Sequence, residues 1–398
     1  MDSSSRRAMY LESIRGIGAM QVLLLHCASA FVPALTKYDM NDEYANFIHK
    51  SPLFFLYDGY SAVYIFFILS GIVLTFYFGT ESPRPIHIFP RIMRLMIPAV
   101  AAVLFGVAVK AIFGAPNLEA GSLVDSEWLR TLWLPPEGVG FILKDALVNA
   151  VWLGYGDAST WSLLGTGIRV DPMSAAYAAP LWTLSLELQG SVLVLLLCIA
   201  FRRRKSLWAP ALAISFALLF RSHFSCFLVG HLIGVAVLHH DRHWDVHPLV
   251  SIALINLGVY LCISEDAGQL AAFDAVCRWE LFPALRCLDH TQKIAGSILV
   301  FSGVFSSAPL RKALETKYLC RLGKLSFSLY LIHWPIVFGL GSSLALMLAR
   351  HVPAGLVGVS TVCLVVPICL GAARLFSVVD DFSIRASRRW RRAIDAAP

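Results

Sequence analysis

YLESIRGIGAMQVLLLH, residues 10–26, is the stretch whose reading decides the fold. It is apolar enough to read as a membrane-spanning helix, yet it carries a carboxylate at Glu12, a guanidinium at Arg15 and an imidazole at His26. Ionisable groups are costly in a bilayer and mark function when they persist there. Arg15 and His26 are eleven positions apart, which a helix rising 1.5 Å per residue turns into about 16 Å along its axis. One group therefore sits near a membrane face and the other well inside. That arrangement suits a reaction that takes a charged donor from one side and does proton chemistry at depth.

The rest of the chain has the composition such a helix needs. Its 398 residues are 57% hydrophobic and only 15% charged, with a mean hydropathy of +0.67, which excludes an ordinary soluble domain and indicates a polytopic membrane protein. The net charge of +7 then reads as orientation signal and lipid contact, not nucleic-acid binding. Nine cysteines show no CxxC spacing and read mostly as small buried hydrophobes. Arg6 and Arg7 precede the first apolar run as they would in a signal peptide, but its length and its Arg15 and His26 mark it as retained.

Apolar windows of suitable length give ten expected spans, at 9–32, 57–79, 89–114, 180–201, 206–220, 222–238, 247–264, 293–308, 324–349 and 353–378. With the N-terminus inside, the basic clusters Arg84/Arg91/Arg94, Arg202–Lys205, Arg311/Lys312/Lys317/Arg321/Lys324 and Arg385/Arg388/Arg389/Arg391/Arg392 all fall on the inner side, as the positive-inside rule requires. The expected fold is thus an all-α membrane helix bundle of about ten transmembrane helices with both termini cytoplasmic. It forms one domain over 1–398, with an outer loop at about 115–179 and a basic tail at about 379–398. Trp128 to Leu153 is partly apolar, but Pro135, Pro136, Glu137, Lys144 and Asp145 place it on the surface or as a re-entrant segment, since a crossing there would invert Arg202–Lys205.

Three more motifs join the first: YSAVYIFFILSG at 60–71, PLWTLSLELQG at 180–190 and LGKLSFSLYLIHWPI at 322–336. In this order the set closely resembles the acyltransferase 3 family of integral membrane acyl-CoA-dependent O-acyltransferases, over about residues 10 to 385. That family carries Arg-x10-His on its first span, FF-x-LSG on its second, a W-S-L-S-x-E-type motif and a late S-x-S-L-Y-L-x-H-x-P motif. Thr183 stands where the family often has Ser, and Asp380 and Phe382 stand where it has Glu and Pro.

The resemblance implies that an acyl group, acetyl foremost, moves from cytoplasmic acyl-CoA to a hydroxyl of an extracytoplasmic or lipid-linked acceptor. A carbohydrate such as an exopolysaccharide is the expected acceptor class, although members of the family also modify small metabolites. Acyl-CoA is a co-substrate, with no bound cofactor and no metal expected, and the setting is the cell membrane, the inner membrane if the source is bacterial. Partners are the donor, the acceptor and membrane lipid, with no nucleic acid.

The residues themselves agree on one point. His26 lies about 9 Å and Glu187 about 10 Å below the same outer face. A carboxylate beside an imidazole raises its basicity and orients it, which is what a general base needs. His26 and Glu187 are therefore the candidate catalytic residues, set against plain structural roles in the bundle; the sequence leaves open whether their helices are neighbours. Arg15, Arg91 and Arg94 are the candidate donor-binding residues, since arginine grips phosphate bidentately. Their alternatives are snorkelling to headgroups, a Glu12 pair one turn away for Arg15, and topology anchoring for the other two. Ser70, Trp182, Ser185, Tyr330 and His333 are the candidate substrate-binding residues. HHDRHWDVH at 239–247 is a weak metal candidate, better read as a solvated loop, and Cys277 and Cys287 share an outer loop where an oxidising compartment could pair them. The rival readings are a transporter using the same buried charges, for which the chain lacks the internal repeat, and a sensor or scaffold that keeps the fold without chemistry.

Overall fold

The computed structural model describes residues 3–36, 47–48, 51–79, 83–156, 159–163, 166–240, 245–264 and 290–396. Among them every regular element is helical. Six helical stretches are long and apolar enough to cross a membrane: Met9–Phe31, Gly59–Phe78, Pro85–Phe113, Ala179–Arg203, Lys317–Leu348 and Ala354–Ala396. They contain α1 (Ser3–Phe31), α2 (Gly59–Phe78), α3 (Ile88–Phe113) and α4 (Trp182–Arg203).

The remaining expected spans are shorter. They are α5 (Lys205–Leu219, 15 residues), α6 (Phe224–His240, 17 residues) and α7 (Pro248–Ser264, 17 residues), each about 22–26 Å long against a hydrocarbon core of about 30 Å. The eighth is a pair, α8 (Thr291–Phe305) and α9 (Ala308–Leu314), bent by 91°. The chain then continues through α10 (Lys317–Pro335) and α11 (Ala354–Ala396). All ten expected windows thus hold apolar helix, and six of them reach full spanning length. The Cys277–Cys287 pair and most of the 239–247 cluster lie outside the described residues, and among the described residues no group of metal-ligating side chains gathers.

Without a hydrophobic drive between helices in lipid, close approach depends on small residues. α1 crosses α10 where Gly16 meets Gly323: a Cβ built on Gly16 would lie 2.6 Å from the Gly323 nitrogen, and one on Gly323 only 2.1 Å from the Glu12 carbonyl oxygen. α2 crosses α6 in the same way, with Gly71 and Gly230 face to face.

Asp58 caps α2 by accepting from the Tyr60 and Ser61 nitrogens at 3.1 and 3.3 Å. It also pairs at 3.3 Å with Lys293 of α8, both side chains being wholly buried. A buried charge survives only when paired, so this bond ties α8 to the head of α2. The sequence motifs did not point to either residue.

The segment between α3 and α4, the expected outer loop, folds onto both helices as short helices, Pro116–Leu123, Glu127–Thr131, Val139–Lys144 and a wide-turned π stretch at Asp145–Leu153. No part of it makes a full-length apolar crossing, in keeping with the surface or re-entrant reading. The Ser126 hydroxyl donates to the Ser29 carbonyl at 2.7 Å, tying this cap to the end of α1.

Gly323→Val should cost at least about 2–3 kcal/mol, the overpacking range of a filled core, and lower the melting temperature of the purified protein in detergent. Gly355→Ala, on α11 where a Cβ meets nothing, should be neutral or stabilising by about 0.5–1 kcal/mol. Thermal unfolding followed by circular dichroism compares the two.

Candidate active site

The α1–α10 crossing brings His26 against His333. Their rings lie with Nδ1 of His26 2.7 Å from Nε2 of His333, and His333 Nδ1 is 3.0 Å from the Leu329 carbonyl oxygen. A carbonyl oxygen can only accept, so His333 carries its proton on Nδ1. In the neutral ring Nε2 is then an acceptor, and His26 must donate from Nδ1. This leaves His26 with a lone pair on Nε2, the form a general base requires.

Three aromatic rings enclose His26. Trp128 from the outer cap stacks on it at 5.6 Å between ring centres, and Trp334 meets it edge-on at 5.1 Å. Phe338 closes the group against both tryptophans. The Trp334 indole N–H is buried and has no hydrogen-bond partner among the described residues. Pro335 follows it, and the helix continues in a widened π turn over Ile336–Gly341, a departure that recurs at functional sites.

Glu187 is not the partner of His26. Its carboxylate is held by Arg91, in a short ion pair, and by the Ser70 hydroxyl at 2.7 Å. Arg91 also donates to the Ser191 hydroxyl at 3.3 Å. A guanidinium within reach is the stronger partner for a half-buried carboxylate, because two charges then leave water together. Equal depth below the membrane face, read from the sequence, could not reveal this.

Arg15, Ser70, Arg91, Arg94 and Glu187 line one cavity of about 170 Å³ together with Phe327. A second pocket of about 50 Å³ shares Arg15, Ser70, Glu187 and Phe327 with it and continues to Thr183, Ser326 and Tyr330. All three donor-binding candidates thus converge on one space, with Tyr330 at its far end. Tyr330 meets the Thr183 hydroxyl at 3.1 Å, and its ring lies 6.1 Å from that of His333.

Arg94 is paired at 2.6 Å with Asp380 of α11, donates to Ser383 at 2.8 Å and lies over the Phe327 ring. Arg15 keeps the expected Glu12 contact at 3.4 Å, with about a third of each side chain exposed. Trp182 and Ser185 take other positions. Trp182 packs against His223, and the Ser185 hydroxyl donates to the Trp182 carbonyl at 2.9 Å.

The cap is anchored by Asp145. It accepts from the Tyr155 hydroxyl at 2.7 Å, the Tyr177 nitrogen at 3.2 Å and Asn149 at 3.3 Å, and its neighbour Lys144 pairs with Asp171 at 2.6 Å. Burial pushes the Asp145 carboxyl above its ordinary value, opposed only in part by those hydrogen bonds.

A family model described as an acyltransferase domain matches residues 9–269. The chain belongs to the acyltransferase 3 family. This acyltransferase is also 23% identical over 375 residues to the O-acetyltransferase PaAT-1 of Phomopsis amygdali, an alignment covering 84% of this chain and 73% of that protein. No solved structure matches it. His333 and Trp334 lie beyond the residues matched to the family model.

Trp128, Thr183, Trp334 and Asp380 are the members of this site that the sequence left unassigned. For Thr183 and Asp380 a signal existed, since both are places where the chain departs from the family pattern and both turn out to hold a site residue. For Trp128, on the short helix Glu127–Thr131, there was none.

A carboxyl whose folded-state pKa is raised contributes stability below its unfolded pKa and loses it as pH rises through the folded one. The cap should therefore be tightest in acid, below the ordinary carboxylate value, and loosen as pH rises through the raised one. Asp145→Asn should flatten that dependence while lowering protection overall by about 1–3 kcal/mol, since one acceptor is replaced by a donor. Hydrogen exchange over residues 126–156 as a function of pH reads both effects.

Proposed function

We propose that this acyltransferase binds an acyl-CoA, acetyl-CoA foremost, from the cytoplasmic side and moves its acyl group to a hydroxyl of an acceptor reached from the outer side. The observation that carries the reading is the His26–His333 hydrogen bond, set at depth beyond a cavity lined by Arg15, Arg91 and Arg94. Those guanidinia suit the phosphates of coenzyme A. The positive-inside pattern supports cytoplasmic termini and about ten crossings, with the three short helices and the bent pair crossing a locally thinned bilayer. The name of the O-acetyltransferase relative supports acetyl as the group and oxygen as its destination. A carbohydrate, free or lipid-linked, is the proposed acceptor class, and the cell membrane the proposed site of action.

In this mechanism Nε2 of His26 takes the proton of the acceptor hydroxyl as its oxygen attacks the thioester carbonyl carbon. The carbonyl electron pair moves onto oxygen, and the unpaired Trp334 N–H is the donor within the His26 enclosure able to receive that charge. Collapse restores the carbonyl and expels the coenzyme A thiolate, which takes back the proton from His26. His333 positions His26 through its tautomer. Glu187 acts one step removed, by holding Arg91 at the donor cavity.

The test is release of free coenzyme A from acetyl-CoA by the purified protein in nanodiscs, with and without a cell-envelope carbohydrate extract. His26→Ala should abolish extract-dependent release, a loss of about 10²–10⁴-fold for a missing general base. Trp334→Phe keeps an aromatic ring, though a smaller one, and removes the N–H, so kcat should fall about 10²–10³-fold with the KM for acetyl-CoA little changed. Glu187→Gln should raise that KM more than it lowers kcat; a kcat loss as large as that of His26→Ala would instead make Glu187 part of the chemistry. If no donor or extract supports turnover by the native chain, the transfer reading fails and transport by the same residues becomes the question.

A further inference from the structure

α11 is 43 residues long, about 65 Å at 1.5 Å per residue, and so extends far beyond any bilayer. Its C-terminal part does not stand free. Arg94 pairs with Asp380, Arg84 donates to the Ile394 carbonyl at 2.8 Å, and His87 pairs with Asp395 at 3.2 Å. Arg391 lies over the Tyr77 ring at 4.8 Å, and Trp390 meets Phe89 edge-on at 5.2 Å. One face of the tail is thus docked on the end of α2 and the start of α3, beside the donor cavity.

The opposite face has a two-part pattern. Leu375, Val378 and Phe382 are 78%, 67% and 55% exposed, large apolar side chains turned outward as a lipid-facing helix surface requires. Continuing at the same three- and four-residue spacing come Arg385, Arg388, Arg389 and Arg392, all exposed. Among the described residues none of these four forms an ion pair, whereas Arg391, one position away on the docked face, is paired with Asp395 at 2.9 Å. From Val378 to Arg385, Arg388 and Arg389 the rise is about 10–17 Å, a distance that long arginine side chains bridge back to the headgroup layer.

We propose that Arg385, Arg388, Arg389 and Arg392 form a binding face for the headgroup phosphates of anionic phospholipids on the donor side of the membrane. The apolar surface just above them selects a lipid over a soluble partner: Leu375, Val378 and Phe382 lead into the arginines, with the exposed Asp381 between them, so a molecule with its chains along Leu375 and Val378 puts its phosphate at the level of the four arginines. Guanidinium groups meet phosphate bidentately, and basic residues at this depth attract anionic lipid, about fivefold in local enrichment for each one. The inference does not depend on the transfer chemistry.

The test uses the full-length protein in vesicles of phosphatidylcholine containing trace spin-labelled phosphatidylglycerol or spin-labelled phosphatidylcholine, with the motionally restricted fraction of each label read by electron paramagnetic resonance. The native chain should favour phosphatidylglycerol, and the quadruple variant R385Q/R388Q/R389Q/R392Q should lose at least tenfold of that preference. The quadruple Arg→Lys variant, which keeps the charge, should retain most of it. An unchanged preference in the Gln variant overturns the proposal. So does equal loss in the Gln and Lys variants, which would assign the effect to packing of the tail. Displacement of the lipid by inorganic phosphate at matched ionic strength would also overturn it, by showing a site for free phosphate.

Discussion

The close crossing of α1 and α10 is the constraint on which the rest of the site depends. Two glycines, Gly16 and Gly323, let the backbones touch where any side chain would force them apart. Ten residues further along each helix, at His26 and His333, the same pairing puts two imidazoles within 2.7 Å. Because both helices rise at the same rate, a contact at one level sets the register at the next. The tautomer of His26 is therefore fixed by helix packing together with a single backbone carbonyl, that of Leu329. No carboxylate is needed in contact with His26 to orient it.

Placing so many ionisable groups among membrane helices imposes a second rule: each must find a partner inside the bundle. Asp58 finds Lys293, Glu187 finds Arg91 and Asp380 finds Arg94. These pairs join elements remote in sequence, α2 to α8, α3 to α4 and α3 to α11, and so act as register pins between helices. They also decide which charges remain available. Arg15, with a loose 3.4 Å contact and substantial exposure, is the least committed cation of the donor cavity, while Arg91 and Arg94 are held in fixed directions by carboxylates that a ligand's phosphates would have to share.

Much of this was legible in the sequence, for reasons that can be named. Apolar runs locate helices because length and hydropathy are properties of a continuous segment, and each of the ten expected windows does contain an apolar helix. Arg15, Arg91 and Arg94 were identified as one set because all lie toward the inner end of their expected spans, and they do line one cavity. The partner of His26 was misjudged because depth is a one-dimensional quantity. Counting residues from the span ends makes His26 and Glu187 level, but lateral neighbours are chosen by glycine contacts on particular helix faces, and those pair α1 with α10 while Glu187 lines the cavity of Arg15. The shortness of α5, α6 and α7 was already visible in the windows 206–220, 222–238 and 247–264; the 91° break between α8 and α9 was not, because a window that counts apolar residues does not show where a helix bends.

The two sides of the His26–His333 pair are built differently, and this bears on what kind of protein the bundle can be. On one side lies an open, arginine-lined cavity that narrows through Phe327 and Thr183 to Tyr330. On the other, Trp128 stacks on His26 from a cap whose attachment to α1 and whose Asp145 network hold it in place. A pathway that carried a solute through the bundle would have to move this cap and open the aromatic enclosure on every passage. The proposed reaction needs less: the acyl group alone would have to reach His26 from the arginine side, while its charged carrier would stay in the cavity, and the acceptor would present only one hydroxyl beneath the cap. The asymmetry of charge on one side and stacked aromatic rings on the other therefore favours meeting of two substrates at His26 over passage of one past it.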